Sequence, residues 1–302
     1  MGRVIVIGSI NQDITVTVDR LPEPGETLLG TSLTYRLGGK GANQSAAAAH
    51  AGAPSLFIGR VGADQAGMVL VDELSSHGVD VSHLLVDEDA TTGIALITVS
   101  ASGENTIILD AGANGRVTAE QAREAVEPSR EDVIVLQGEI GAEVNEQVIR
   151  WAHRTGARTV FNIAPAYEVA PEVLALVDCV VVNETEAGIV LGRPAPQDAD
   201  SALDAAAAVV DLGPRLALVT LGGHGAAWSD GDRSEHVPAL RLGPVVDTTG
   251  AGDAAVGALA AALAMDWDFP EAVRAGVRAG STAVLAEGAA ASYAGIEPLQ
   301  AP

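Results

Sequence analysis

Lysine is almost missing from this 302-residue chain: of its seventeen Lys and Arg residues, only Lys40 is a lysine. Cysteine occurs once, at Cys179, which excludes an intrachain disulfide. That residue sits in an apolar run and is expected to be a small buried side chain rather than a nucleophile. Aromatic residues make up 3% of the chain against 48% hydrophobic residues, so the core is expected to be built of Ala, Val, Leu and Ile. The longest apolar run, Ala254 to Met265, is about twelve residues, too short to span a bilayer. The six histidines are scattered, and no Cys/His spacing suited to a metal is present. Basic groups are outnumbered by 40 acids, giving a formal charge of −23. Such a field excludes nucleic acid and anionic membrane surfaces as partners. The opening MGRVIVIGSI is a strand and a turn rather than a signal peptide, so the expected location is cytoplasmic.

Short apolar runs alternate with helical patterns, which predicts an α/β fold, a doubly wound and mostly parallel sheet flanked by helices. The runs are Val4–Ile7, Leu56–Ile58, Val133–Leu136, Thr159–Phe161, Cys179–Val182 and Leu216–Thr220. Asp64 is expected to cap a helix ending near Gly78, with Met68, Val71 and Leu74 on one face. Thr118-x-x-Gln121 has a capping-box pattern opening a helix through about Val126. Further helices are expected over Ala202 to Leu212 and, as one or two, over Pro270 to Ala286. Two segments, about 13–36 and 91–110, break the alternation and read as exposed antiparallel strands. They fit either a small projecting β-sheet lid or edge strands of one sheet. The chain is expected to be a single α/β domain over residues 1–302 with that lid inserted.

Lys40 lies in Gly38-Gly39-Lys40-Gly41-Ala42-Asn43, just before an apparent helix. Glycines let backbone N–H groups approach a ligand, and a helix N-terminus favours an anion. A lone lysine can also fall in a surface loop by chance. The second motif, Asp247-Thr248-Thr249-Gly250-Ala251-Gly252-Asp253, precedes a long Ala/Leu helix former. The backbone of Gly250, Ala251 and Gly252 can form a concave anion site there. The Asp253 carboxylate beside it suits proton removal from an alcohol during phosphoryl transfer. A first-turn acid on the helix dipole would explain Asp253 but not the glycine-rich lead-in.

Ligands of doubly wound sheets bind beyond the carboxyl ends of the strands. Asn11, Asp13, Glu139, Asn162, Asn183, Glu186 and Thr220 all follow or end strands here. Each could be a turn or cap residue; together they suit a polyhydroxylated ligand, and Asn183 with Glu186 could hold a hydrated Mg²⁺. A dinucleotide-dependent oxidoreductase fails, because no G-x-G-x-x-G follows Val4–Ile7.

These motifs, with Ser9-Ile10-Asn11-Gln12-Asp13, Pro24-Gly25-Glu26-Thr27, Ala111-Gly112-Ala113-Asn114, Gln137-Gly138-Glu139, Asn183-Glu184-Thr185-Glu186 and Thr220-Leu221-Gly222-Gly223-His224-Gly225, resemble the ribokinase (PfkB-type carbohydrate kinase) family in order along nearly the whole chain. The resemblance implies ATP-dependent phosphorylation of a sugar, with the 5-hydroxyl of D-ribose as leading acceptor. It places Asn11, Asp13, Gly39, Lys40, Asn43, Glu139 and Asp253 on the sugar, and Asp253 as base with Gly250, Ala251 and Gly252 as anion hole. It implies that Asn183, Thr220, Gly222, Gly223 and Gly225 contact ATP and that Glu186 helps place Mg²⁺. Asp247, Thr249, Ala283, Ala286, Gly288 and Ser292 would supply a K⁺ site. A homodimer through the lid is also implied. Departures from the family pattern are Ala254-Ala255, Ile163, Val277 and Ala286. The alternatives are a sibling kinase for another sugar or a nucleoside, and a non-catalytic sugar or nucleotide sensor.

Overall fold

All six apolar runs become neighbouring parallel strands in the computed structural model, which describes residues 2–300. In chain order the elements begin β1 (Val4–Ile7), β2 (Asn11–Val18), β3 (Ser32–Gly38), α1 (Lys40–His50), β4 (Ser55–Ile58), β5 (Arg60–Gly62), α2 (Gln65–Ser76) and β6 (Leu85–Asp87). Next come β7 (Gly93–Ser100), β8 (Asn105–Asp110), α3 (Ala119–Ala125), β9 (Val133–Gln137), α4 (Ala142–Thr155), β10 (Arg158–Asn162), α5 (Pro171–Leu174) and β11 (Cys179–Asn183). The remainder holds α6 (Glu184–Leu191), α7 (Ala199–Asp211), β12 (Leu216–Thr220), β13 (Ala226–Ser229), β14 (Ser234–Val237), α8 (Ala251–Ala264) and α9 (Phe269–Ala283).

The main sheet has the order β14-β13-β12-β11-β10-β9-β1-β4, with β13 and β14 antiparallel at one edge. Its six parallel strands are largely buried on both faces, as a sheet covered by helices requires. Val4 and Val6 of β1 join a core shared with Ala46 of α1, Ala258 of α8 and Val273 of α9. Ile5 and Ile7 point the other way, toward Ala122 of α3, Ile149 of α4 and Val209 of α7. Each fully buried Val or Ile side chain among them contributes roughly 1.5–3 kcal/mol. Helices therefore lie on both faces, and the strand order reverses between β1 and β9, where a doubly wound sheet opens its crevice.

α1 and α8 approach closely because small residues line their contact. A Cβ on Gly257 would stand 2.5 Å from the Gln44 carbonyl oxygen and 2.6 Å from the Ala47 Cβ. That spacing brings the side chains of α1 within reach of the amino end of α8.

The second sheet, β3-β2-β7-β8, is separate from the first, so the two irregular segments are not edge strands of the main sheet. β3 and β8 pair antiparallel with their neighbours, but β2 and β7 run parallel, which corrects the purely antiparallel expectation. Both enter the sheet from the same end of the crevice, so their directions match. Helix boundaries differ in detail. Asp64 caps α2 by accepting from Gly67 N, yet the buried face is Gly67, Leu70 and Leu74, while Met68 is exposed. Thr118 accepts from Gln121 N, but the Gln121 side chain donates to Gly59 O, leaving half a capping box. α7 starts earlier than expected because Asp198 and Ser201 form a capping box, and α9 is one helix. Cys179 is buried, as expected.

Candidate active site

Gly250 adopts a left-handed conformation (φ 76°) as the cap before α8, and Asp253 occupies the helix's first turn. A Cβ at Gly250 would meet Ala289 and the Tyr293 hydroxyl at 2.6 Å, so glycine is required twice over, by angle and by space. Ala251 N donates to Thr248 O at 3.3 Å, which commits one N–H of the expected anion hole to a turn. Gly252 is exposed, with open space where a Cβ would point. First-turn N–H groups have no acceptor within their own helix, so this end of α8 offers donors to an anion.

The Asp253 side chain is buried at 8% exposure, and α1 holds both of its oxygens. Asn43 Nδ2 donates to Oδ2 at 3.1 Å and Gln44 Nε2 to Oδ1 at 2.9 Å. Asn43 Oδ1 is buried without a hydrogen-bond partner, as is the nearby Gln137 Oε1. Lys40 opens α1 and is held protonated chiefly by Asp253, with Glu139 and Glu186 adding to the effect against desolvation.

Glu139 follows β9 across the switch point. Its Oε2 accepts a short hydrogen bond from Ser9 Oγ and another, at 3.2 Å, from Lys40 N. Asn11 and Asp13 lie two residues apart in β2 and share a face of the small sheet. Asn114 Nδ2 orients Asn11 by donating to its Oδ1 at 2.6 Å, while Asn114 Oδ1 accepts from Ile10 N. The Asp13 carboxyl lies where a Cβ on Gly38 would be, within 2.2 Å, so only glycine fits beside it. Gly39 has φ 88° and packs against the backbone of Ile10 and Asn11. Burial, then Glu139, then Asp253 push the Asp13 pKa up to about 7.

Asn183, Thr220, Gly222, Gly223 and Gly225 line one cavity of about 580 Å³, together with Ala251, Gly252 and Val277. The sugar-side candidates are not in that lining; they gather around Asp253 instead. Asn183 and Glu186 form a capping box for α6, Asn183 Oδ1 accepting from Glu186 N and Glu186 Oε2 from Asn183 N, each at 2.8 Å. Burial raises the Glu186 pKa, with Lys40 opposing. Among the described residues no group of three or more His, Cys, Asp or Glu could hold a metal ion.

Asp247 Oδ1 accepts from Thr249 N and Oγ1, and Oδ2 accepts from Gly288 N at 2.9 Å. Val246 N donates to Val284 O, tying this loop to the segment carrying Ala283, Ala286, Gly288 and Ser292. Sequence reasoning missed Gln44, which reaches the base candidate directly. Its position beside Asn43 in a glycine-led motif was the available signal.

The family model described as pfkB family carbohydrate kinase matches residues 1–294. A ribokinase of Haemophilus influenzae is 35% identical over 288 residues, covering 95% of this chain and 94% of that protein. A deoxyribokinase of Salmonella typhimurium is 33% identical over 296 residues, covering 97% of this chain and 96% of that protein. The structure of Arabidopsis thaliana ribokinase complexed with ribose and ATP superposes with a TM-score of 0.88 at 30% identity, covering 99% of this chain and 96% of that one.

Asp13 allows a stability prediction. The folded chain keeps this proton up to about pH 7, whereas an unfolded aspartate loses it near 3.8. Between those values the folded state binds more protons, so stability contributed by Asp13 falls as pH rises through the window. Asp13→Asn is expected to melt higher than the parent at pH 8, with the difference vanishing by pH 4. Equal melting temperatures at pH 8 would refute the assignment.

Proposed function

Because the chain belongs to the pfkB family of carbohydrate kinases, we propose that it transfers the γ-phosphoryl group of ATP to the 5-hydroxyl of D-ribose. The observation carrying this reading is the buried Asp253 carboxylate. It is anchored to α1 by Asn43 and Gln44 and borders, through Gly252, the cavity lined by Asn183 and Thr220. In this reading Asn11, Asp13, Gly39, Lys40, Asn43 and Glu139 bind the sugar hydroxyls. The unpartnered Asn43 Oδ1 supports that, since it needs a donor. ATP occupies the cavity, with Gly222, Gly223 and Gly225 beside its phosphates.

Asp253 accepts the hydroxyl proton as the sugar oxygen forms its bond to the γ-phosphorus. The bond from that phosphorus to the β–γ bridging oxygen breaks and ADP leaves. The α8 amino end stabilises charge on the transferring group through Gly250 and Gly252, the Ala251 N–H being engaged with Thr248 O. Lys40, beside Asp253, adds a positive charge near the transferred phosphoryl.

The residues fit a Mg²⁺ ion held mainly by phosphate oxygens and water, since Glu186 keeps one oxygen outside its capping box. Bound there, the ion would neutralise phosphate charge. Asp247, Thr249, Ala283, Ala286, Gly288 and Ser292 fit a K⁺ site, because the Asp247 carboxylate already gathers Thr249 and Gly288. The small sheet serves as a lid on a single domain, residues 1–302, and carries a homodimer contact in this reading. Tyr35, Leu96 and Ile108 support the contact: they line up across one face at 60%, 50% and 68% exposure. A monomer in sedimentation equilibrium at micromolar concentration would remove it.

A second reading, 2-deoxyribose as acceptor, is favoured by the deoxyribokinase likeness. A nucleoside is disfavoured by the shortage of aromatic residues to stack a base. A non-catalytic sensor is disfavoured by the intact Asp253. ADP release measured side by side with ribose, deoxyribose, fructose and adenosine separates these. Asp253→Asn is expected to lower kcat by about 10²–10⁴; near-parental turnover would end the assignment of the base. Activity is expected to rise when K⁺ replaces Na⁺, and to lose that response in Asp247→Ala. Indifference to the cation in the parent protein would remove the site.

A further inference from the structure

We infer that Gln44 is a positioning residue for the phosphoryl transfer, its buried amide fixing the Asp253 carboxylate through a chain of side-chain amides rooted in the main sheet. The inference rests on the proposed role of Asp253 as base. Gln44 is 0% exposed, so its side chain has no surface to offer a ligand. Its Nε2 donates to Asp253 Oδ1 at 2.9 Å and to Asn162 Oδ1 at 3.0 Å. Its Oε1 accepts from Gln137 Nε2 at 2.8 Å. Asn162 Nδ2 in turn donates to Val181 O at 3.1 Å, which leaves Asn162 Oδ1 as the end facing Gln44.

Gln44 and Asn162 therefore each have one orientation that satisfies their partners, and Gln137 is held by its donation to Gln44 Oε1 although its own Oε1 is buried without a partner. A flipped Gln44 would set its oxygen against the Asp253 carboxylate and against Asn162 Oδ1. With Gln44 on Oδ1 and Asn43 on Oδ2, turning the carboxylate would break both bonds. Asn43 lines the sugar side and has its own ligand to serve, whereas Gln44 touches only protein.

Position matters because a base acts only within hydrogen-bond reach of the proton it takes. A misplacement of about 1 Å can cost roughly a hundredfold in rate. β9 and β10 supply Gln137 and Asn162, so two central strands set the direction of a side chain on α8.

The test is steady-state kinetics of the full chain with D-ribose and ATP for Gln44→Met, Asp253→Asn and the double variant. Methionine keeps the length and volume but donates no hydrogen bond. Gln44→Met is expected to lower kcat by about 10–100-fold, the worth of one hydrogen bond to a charged group, with both KM values changed by less than about threefold. It is expected to cause no further loss in the Asp253→Asn background, because its effect runs through that carboxylate. An unchanged kcat, or the same loss repeated on Asp253→Asn, would overturn the inference. Substantial turnover by Asp253→Asn alone overturns the base itself, a separate result. Should Gln44→Met not fold, Gln137→Met removes only the donation to Gln44 Oε1. A smaller kcat loss with the same KM pattern and the same non-additivity is then expected, and an unchanged kcat refutes the positioning role.

Discussion

Two amide hydrogen bonds from α1 to the Asp253 carboxylate are the constraint on which the site depends. They exist because two helices built largely of alanine can approach closely, with Gly257 admitting the α1 backbone. A core with more aromatic volume between these helices would hold α1 too far from α8. The helix dipole and the amide donors together offset the cost of burying the Asp253 side chain.

Charge is managed locally rather than globally. The chain carries −23, and Asp13, Glu139, Glu186 and Asp253 concentrate acids in one crevice. Lys40 is the cation at their centre, held in its charged form by three of them. Burial first, and then the nearby Glu139 and Asp253, raise the Asp13 pKa to about 7. Such crowding is tolerable where carboxylates must accept hydrogen bonds from hydroxyl groups. The cavity lined by Asn183, Thr220 and Gly222 is built differently, from glycine backbone and the amino end of α8 with Arg241 beside them, which suits an anion.

The two sheets divide the labour. The main sheet fixes Glu139, Asn162, Asn183 and Thr220 at its carboxyl ends, where register is held by strands buried on both faces. The small sheet holds Asn11 and Asp13 and leaves β8 exposed along its whole length. A rigid half and a half with less buried surface is an arrangement suited to closing over a ligand.

Much of this was legible in the residues themselves. Runs such as Val133–Leu136 announce a sheet covered on both faces, because burial on both sides removes any need for polar alternation. The glycines before Lys40 and before Asp253 announce helix ends approached by backbone, since no other residue adopts φ 76° or 88° there without strain. The parallel pairing of β2 with β7, the exposure of Met68 and the diversion of Gln121 to Gly59 were not legible, because each depends on a partner distant in sequence. The same holds for Gln44. Its neighbours in the chain mark it as helical, but its partners are 93, 118 and 209 residues away. Local chemistry determined which residues could bind and react; long-range packing decided which of them meet, because a hydrogen bond of 2.9 Å has no signature in a sequence until the backbone has closed the loop between its ends.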